Sequence, residues 1–233
     1  MLDMATAFGV FANSGYRVDL NPILEVKDAN GKTLEKGKSK SPIFGEKVMP
    51  EEVTFLISDM LADNQARARA FGTNSVLNIP GQTVSVKTGT TNDYRDNWTI
   101  GYTPKYLVAT WVGNNDNTPM GSVVSGITGA SPIWNDIMTH LLAEQKTSPL
   151  TPPKNVLRLS VCKNSGLFPA EGVTCETKSE YFIRNQFPKR RDPGKTSVFV
   201  DKTTQNIPKD PKQTENLEPQ EKYIITDDTG DKY

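Results

Sequence analysis

Apolar residues recur along this chain at two periods, and the change from one to the other marks out its elements. Leu2, Ala5, Phe8 and Val10 fall at helical spacing and predict a helix over residues 1–14, stopped by Asn13-Ser14-Gly15. No N-cap residue precedes its first apolar position. Val53, Leu56, Ile57, Met60 and Leu61 predict a second helix over 50–63 and form its core-facing stripe. Pro50 suits its first turn, and Glu51 and Glu52 suit its positive end. Ile133, Trp134, Ile137, Met138 and Leu141 predict a third helix over 132–143, lying across a sheet. That sheet comes from the period of two: strands are predicted over 83–90, 97–103 and 106–113. Val84 and Val86 alternate with Ser85 in the first of them.

The segments between are read from turn chemistry. Residues 18–35 predict a hairpin, with Ile23-Leu24-Glu25-Val26 turning at Asp28-Ala29-Asn30-Gly31 and returning through Lys32-Thr33-Leu34. Asp28, Asn30 and Gly31 also begin like a calcium loop, but Lys32 and the lack of a later Glu favour the turn. Residues 36–47 and 63–72 are expected as loops, with Arg67 and Arg69 solvated. Asp93-Tyr94-Arg95-Asp96 is a short charged turn in which Arg95 and Asp96 pair with each other or brace the preceding strand. Trp98 and Trp111 are expected in the core under the sheet, and 121–130 as a Gly- and Ser-rich loop. The composition shifts at Ser148-Pro149-Leu150-Thr151-Pro152-Pro153, a linker. Past it, short strands are expected at 156–161 and 181–183, flanking a loop from Cys162 to Cys175. Residues 191–233 form a polar tail expected to be largely disordered, with short strands near 197–201 and 222–226 at most.

Composition narrows the function classes. The 233 residues carry 27 basic and 27 acidic side chains, so nothing points to nucleic acid or an acidic membrane surface as partner. Hydrophobic content is 36%, low for a compact globule because of the polar tail. No apolar run approaches a membrane helix and no signal peptide precedes the first helix, which taken alone suggests a cytoplasmic protein. Two cysteines and the single His140, which falls in the third helix as a surface or packing residue, are too few for a structural zinc; no metal or cofactor is expected.

Candidate chemistry concentrates in Val84-Ser85-Val86-Lys87-Thr88-Gly89-Thr90-Thr91. The strand ends in one compact cation, three hydroxyls and a glycine that lets a ligand approach the backbone. Such an edge suits an anionic, carbonyl-bearing substrate, with Lys87 and the hydroxyls on a carboxylate and a backbone N–H near Gly89 on a developing oxyanion. Lys-Thr-Gly alone is more often a polar strand end. Here it is followed by Asn92-Asp93-Tyr94-Arg95-Asp96-Asn97-Trp98-Thr99-Ile100-Gly101-Tyr102-Thr103-Pro104 and by Val108-Ala109-Thr110-Trp111-Val112-Gly113-Asn114-Asn115-Asp116-Asn117-Thr118-Pro119-Met120. This ordered run resembles the transpeptidase domain of class A penicillin-binding proteins, the bifunctional peptidoglycan synthases, in which Lys-Thr-Gly is the third of three signatures.

The resemblance covers residues 1–145 closely and 146–185 loosely. It implies an α/β fold of the penicillin-binding transpeptidase and serine β-lactamase type, an antiparallel sheet with flanking helices, incomplete at its N-terminal side. It divides the chain into the C-terminal part of a transpeptidase domain over 1–147, a linker with a small post-catalytic region over 148–190, and the tail over 191–233. By the same resemblance Lys87, Thr88, Gly89 and Thr90 are the catalytic candidates, and Thr88, Thr90 and Thr91 the substrate-binding ones. Lys87 would hold the substrate carboxylate and tune the proton network, and the Thr90 N–H would be an oxyanion donor. The implied partners are peptidoglycan stem peptides and β-lactam antibiotics. The implied location is the extracytoplasmic face of the bacterial cell membrane, where Cys162 and Cys175 are a candidate disulfide that their spacing leaves open.

The nucleophile motif departs from the family. The single Ser-x-x-Lys string, Ser160-Val161-Cys162-Lys163, falls past the linker on an expected strand, where Ser160 and Lys163 would point to opposite faces. No Ser-x-Asn element precedes residue 87, and Ser75-Val76-Leu77-Asn78 has the wrong spacing. The chain is therefore expected to be the C-terminal portion of a longer protein, inactive alone. The nucleophile, a membrane anchor and a glycosyltransferase domain would lie upstream. Two other readings stand beside this one: a β-lactamase or carboxypeptidase relative, and a non-catalytic cell-wall binding or interaction module. Gly194-Lys195-Thr196-Ser197 hints at a phosphate loop, but Lys189 stands where its first glycine should be.

Overall fold

The computed structural model describes residues 1–37, 45–121, 127–208 and 214–223. It divides into two compact units, Met1–Lys154 and Asn155–Tyr233. Parts of the expected loops at 36–47 and 121–130, and of the strand at 222–226, lie outside the described residues.

The first unit begins with α1 (Leu2–Ala12). It stops where Gly15, at φ +95°, turns its N–H back to the Val10 carbonyl at 2.8 Å. A Cβ on Gly15 would fall 2.0 Å from the Met49 carbonyl oxygen, so the position also needs glycine for space. Strand β1 (Tyr16–Arg17) pairs with β4 (Glu46–Lys47), and between them β2 (Glu25–Lys27) and β3 (Thr33–Lys36) make the expected hairpin. The Asp28 carboxylate closes that turn by accepting from the Asn30 and Lys32 amides, both at 2.9 Å.

Helix α2 (Glu51–Ala62) forms as expected, but its buried residues are Thr54, Phe55 and Ser58, and Met60 is 64% exposed. Of the expected stripe, Val53, Leu56, Ile57 and Leu61 are half-buried and only Met60 is exposed, so the buried face is rotated toward Thr54, Phe55 and Ser58. The neighbouring sheet offers Ser58 polar partners: Ser58 Oγ bonds Tyr102 OH at 2.9 Å, and its carbonyl accepts from Ser85 Oγ at 2.7 Å. The expected loop at 63–72 is instead mostly a helix, α3 (Asn64–Phe71). Asp63 caps it, accepting from the Gln65 and Ala66 amides at 2.9 Å. Arg67 is not solvated as expected: it is half-buried and donates to the Leu61 carbonyl at 2.7 Å, and that burial lowers its pKa against the raising effect of Asp63.

The sheet consists of β5 (Ser85–Thr90), β6 (Asp96–Tyr102) and β7 (Leu107–Gly113), antiparallel in that order. Residues opposite one another share a face. Val86, Gly101 and Val108 therefore face one way, toward α4 (Ala130–Leu142); Ser85 and Tyr102 face the other, toward α1 and α2. On the α4 side Leu77, Ile79, Val84, Val86, Val108, Trp134, Met138 and Leu142 form the core. Trp134, not Trp98 or Trp111, is the fully buried indole. Trp98 and Trp111 are half-buried neighbours across β6 and β7, with ring centroids 6.5 Å apart.

In the second unit β8 (Val156–Cys162) pairs antiparallel with β10 (Thr177–Ile183), and Cys162 is bonded to Cys175. The two-residue strands β9 (Phe168–Pro169) and β11 (Arg191–Asp192) run parallel beside an aromatic cluster of Phe168, Phe182 and Phe187. The tail expected to be largely disordered carries a hairpin of two seven-residue strands, β12 (Lys195–Asp201) with β13 (Leu217–Tyr223). Val200 is fully buried and Phe199 beside it is exposed, as strand alternation requires. Gly194-Lys195-Thr196-Ser197 runs directly into strand β12, where a phosphate loop would open a helix.

Candidate functional site

The Lys-Thr-Gly sequence lies on β5, the outer strand of the described sheet. Its first half is anchored: Val84, Ser85 and Val86 are all buried. Its second half is open, with Lys87 and Thr90 exposed and Thr88 and Gly89 half-buried. The β-branched anchor holds the strand, and the polar end emerges from the core.

Strand alternation separates the candidate side chains. Lys87 shares a face with Ile100, and Gly89 with Trp98; Thr88 and Thr90 share the opposite face with Thr99 and Asn97. Lys87 and the two threonines therefore do not meet on one face of the sheet. They lie together along the outer edge, where a ligand laid beside the strand reaches both sets. The Lys87 ammonium donates to the Thr88 carbonyl. Thr91 donates its N–H to the Asp96 carbonyl at 3.0 Å, so that N–H points at β6. By alternation the Thr90 N–H lies on the side of β5 away from β6.

Apart from Asp96, the supporting side chains are ones the sequence patterns did not single out. Asn97 is fully buried; its Oδ1 accepts from the Ala130 N–H at 2.7 Å, and its Nδ2 lies 3.4 Å from Thr90 Oγ1. Thr99 Oγ1 bonds Ser131 Oγ at 2.8 Å, and Thr110 Oγ1 donates to the Ala130 carbonyl at 2.9 Å. The N-terminal end of α4 is thereby pinned to the sheet behind Thr88 and Thr90. Asp96 does not pair with Arg95: its carboxylate accepts from Thr91 Oγ1 at 2.9 Å and from Trp111 Nε1 at 2.8 Å. Arg95 turns instead to Asp93, at 3.7 Å, and to the Asn117 carbonyl. On the other face Tyr102 is buried between Phe8 and Ser58, and burial raises its pKa against the opposing bonds from Ser58 and Ser85. Ser160 lies on β8, and Lys163 pairs with Glu176 at 2.6 Å.

The penicillin binding protein transpeptidase domain profile matches residues 1–139. The chain belongs to the penicillin-binding protein transpeptidase family. Among curated relatives, penicillin-binding protein 1A of Clostridium botulinum is 29% identical over 87% of this chain, and that of Clostridium tetani 33% identical over 80%. The chain spans about a quarter of their length, 24% and 23%. Penicillin-binding protein 1A from Haemophilus influenzae shares the fold, with a TM-score of 0.63 at 24% identity over 81% of this chain and 32% of that one. PonA1 from Mycobacterium tuberculosis superimposes with a TM-score of 0.53 at 27% identity, over 65% of this chain and 40% of that one. The mixed α/β architecture with antiparallel sheets is therefore that of the penicillin-binding transpeptidases. Among the described residues no helix is long and apolar enough to cross a membrane, and no group of three or more His, Cys, Asp or Glu side chains is placed to hold a metal ion.

Proposed function

We propose that residues 1–147 supply the Lys-Thr-Gly part of a serine-type D,D-transpeptidase that cross-links peptidoglycan stem peptides and is acylated by penicillins. The observation that carries this reading is the position of Lys87-Thr88-Gly89-Thr90 on an outer strand, anchored at one end and open at the other, in a chain of this family. The nucleophilic serine is supplied by residues that are not among these 233. Its oxygen adds to the substrate carbonyl and the Thr90 N–H meets the oxyanion. The bond to the leaving C-terminal residue of the stem peptide then breaks, and the acyl group passes to an amine of a second strand. With a β-lactam the ring amide opens and the acyl group stays on the serine. Lys87 holds the substrate carboxylate and shapes the proton network, Thr88 and Thr90 add hydroxyl contacts, Thr91 borders the substrate site just past the end of β5, and Gly89 keeps the backbone open to the ligand.

The same reading makes residues 148–190 a linker and post-catalytic region and 191–233 an appended tail. It places the protein on the extracytoplasmic face of the bacterial membrane, with an anchor and a glycosyltransferase domain in the full-length product. These 233 residues alone would be inactive.

Covalent labelling by a fluorescent penicillin tests it. The full-length gene product should give a labelled band that survives denaturation. Lys87→Ala should lower the labelling rate by on the order of a hundredfold or more. A full-length product that retains peptidoglycan but never labels would make the chain a binding module instead, and rapid release of hydrolysed penicillin would make it a β-lactamase relative.

A further inference from the structure

The turn after the Lys-Thr-Gly strand is tied to one residue, Asp96, through both its main chain and its carboxylate. Asp96 binds Thr91 three ways: its carbonyl accepts from the Thr91 N–H at 3.0 Å, its Oδ2 accepts from Thr91 Oγ1 at 2.9 Å, and its N–H donates to Thr91 Oγ1 at 2.8 Å. The other carboxylate oxygen accepts from Trp111 Nε1 at 2.8 Å, on the neighbouring strand β7. Gly113, opposite Asp96 in the ladder, makes room for that reach. A Cβ there would fall 2.5 Å from Trp111 Cζ2 and 2.8 Å from the Arg95 carbonyl oxygen. Inside the turn Asp93 and Tyr94 both take positive φ, at 60° and 54°. The Tyr94 carbonyl is tied to the Met120 N–H at 3.0 Å.

This clamp lies one residue beyond Thr90, and Gly89 lies one residue before it. A glycine leaves the chain more torsional freedom than any other residue. Thr90 is also the last residue of β5, where ladder restraint ends. A backbone donor in that setting keeps its aim only if the chain is fixed on its far side. We propose that Asp96 is a positioning residue for acyl transfer: by clamping Thr91 to Trp111 it fixes the main chain at Thr90 and so aims the Thr90 N–H. This rests on the transpeptidase reading above. The role requires hydrogen bonds in a fixed geometry, and a full negative charge is not needed. An asparagine at this position keeps an oxygen for Trp111 and offers an N–H to Thr91 Oγ1.

The test is stopped-flow acylation of the full-length gene product by a fluorescent penicillin, separating the non-covalent dissociation constant from the acylation rate constant, with a thermal melt for each variant. Asp96→Ala and Thr91→Val should each slow acylation roughly ten- to a hundredfold, the scale of a misplaced reacting group, and change the dissociation constant less than about threefold. Asp96→Asn should acylate within about threefold of wild type. The double variant Asp96→Ala/Thr91→Val should be no slower than its slower parent, because both remove one clamp. Wild-type acylation in Asp96→Ala, a rate in Asp96→Asn as low as in Asp96→Ala, or multiplying losses in the double variant would each overturn the proposal. Should Asp96→Ala fail to fold, Thr91→Val decides: a slow rate with a wild-type melt supports the clamp, and a wild-type rate refutes it. A wild-type protein that is never labelled removes the transpeptidase reading itself, and the clamp with it.

Discussion

Replacing Gly101 by alanine should loosen the contact that seats the sheet on α4. A Cβ at this position would lie 2.4 Å from Trp134 Cζ2 and 2.7 Å from both Cε2 and Nε1, where carbon contacts prefer about 3.5–4.0 Å. The indole must retreat by about 1 Å, and it is fully buried among Leu77, Ile79, Val84 and Val108. Overpacking of this kind costs about 1–3 kcal/mol. Gly101 does not have a positive φ, so the alanine meets no backbone strain and returns about 0.5–1 kcal/mol through a stiffer unfolded chain. Taking the upper end of the clash because nothing nearby can yield, the net loss is about 2 kcal/mol. For a protein of this size that lowers Tm by roughly 4–8 °C. Thermal unfolding followed by tryptophan fluorescence reads it, in the protein that carries this chain. Trp134→Phe supplies the control. The smaller ring vacates the space a Cβ would take, and it removes an Nε1 that is buried with no hydrogen-bond partner among the described residues. The Gly101→Ala/Trp134→Phe variant should therefore lose at least about 1 kcal/mol less than the sum of the single changes. Trp98 and Trp111 remain as reporters. A Gly101→Ala protein melting within about 1 °C of wild type, or strict additivity with Trp134→Phe, would refute the packing argument.

The remaining predictions rest on other contacts. Tyr102 is held neutral by burial, so its folded pKa lies above the usual value of about 10. Its contribution is fully present below pH 10, where the unfolded phenol is also neutral, and is lost as pH rises through the higher folded value. Tm should thus fall more steeply between pH 9 and 11 in wild type than in Tyr102→Phe, and equal slopes would count against it. The Cys162–Cys175 bond closes a loop with a sequence separation of 13, worth about 3 kcal/mol in the chain-entropy account. Cys162→Ser/Cys175→Ser should lower the stability of the second unit by that order, and a reductant should do the same to wild type but not to the variant. Lys87→Ala should abolish most penicillin labelling while leaving the melt near wild type, since the side chain is exposed; a cooperative loss of structure instead would make Lys87 a structural residue.

Part of this molecule was legible in its residues one neighbour at a time. The period of two found β5, β6 and β7 to within a few residues, and the turn at Asp28-Ala29-Asn30-Gly31 named its own hairpin. The order of residues from Lys87 to Met120 pointed to the family that the profile match identifies. These features are local, set by side-chain alternation, glycine and the fixed torsions of the backbone. What failed was local in appearance and long-range in cause. The face of α2 was decided by Tyr102, 44 residues from Ser58, whose hydroxyl made a serine the better residue to bury. Asp63 caps α3 only because the chain leaves α2 there in an extended conformation. Trp98 and Trp111 read as core because they are large and apolar, yet Asp96 draws the Trp111 N–H to the rim of the sheet. The division of Lys87 from Thr88 and Thr90 onto two faces follows from alternation alone. That Asn97 and Thr99 stand behind them follows only from strand register, which is set across the sheet by pairing and packing. Sequence periodicity determined the three strands and three of the helices; α3, the tail hairpin and the partner that each side chain meets were decided by the assembled structure, and most of the proposed site's support is of that second kind.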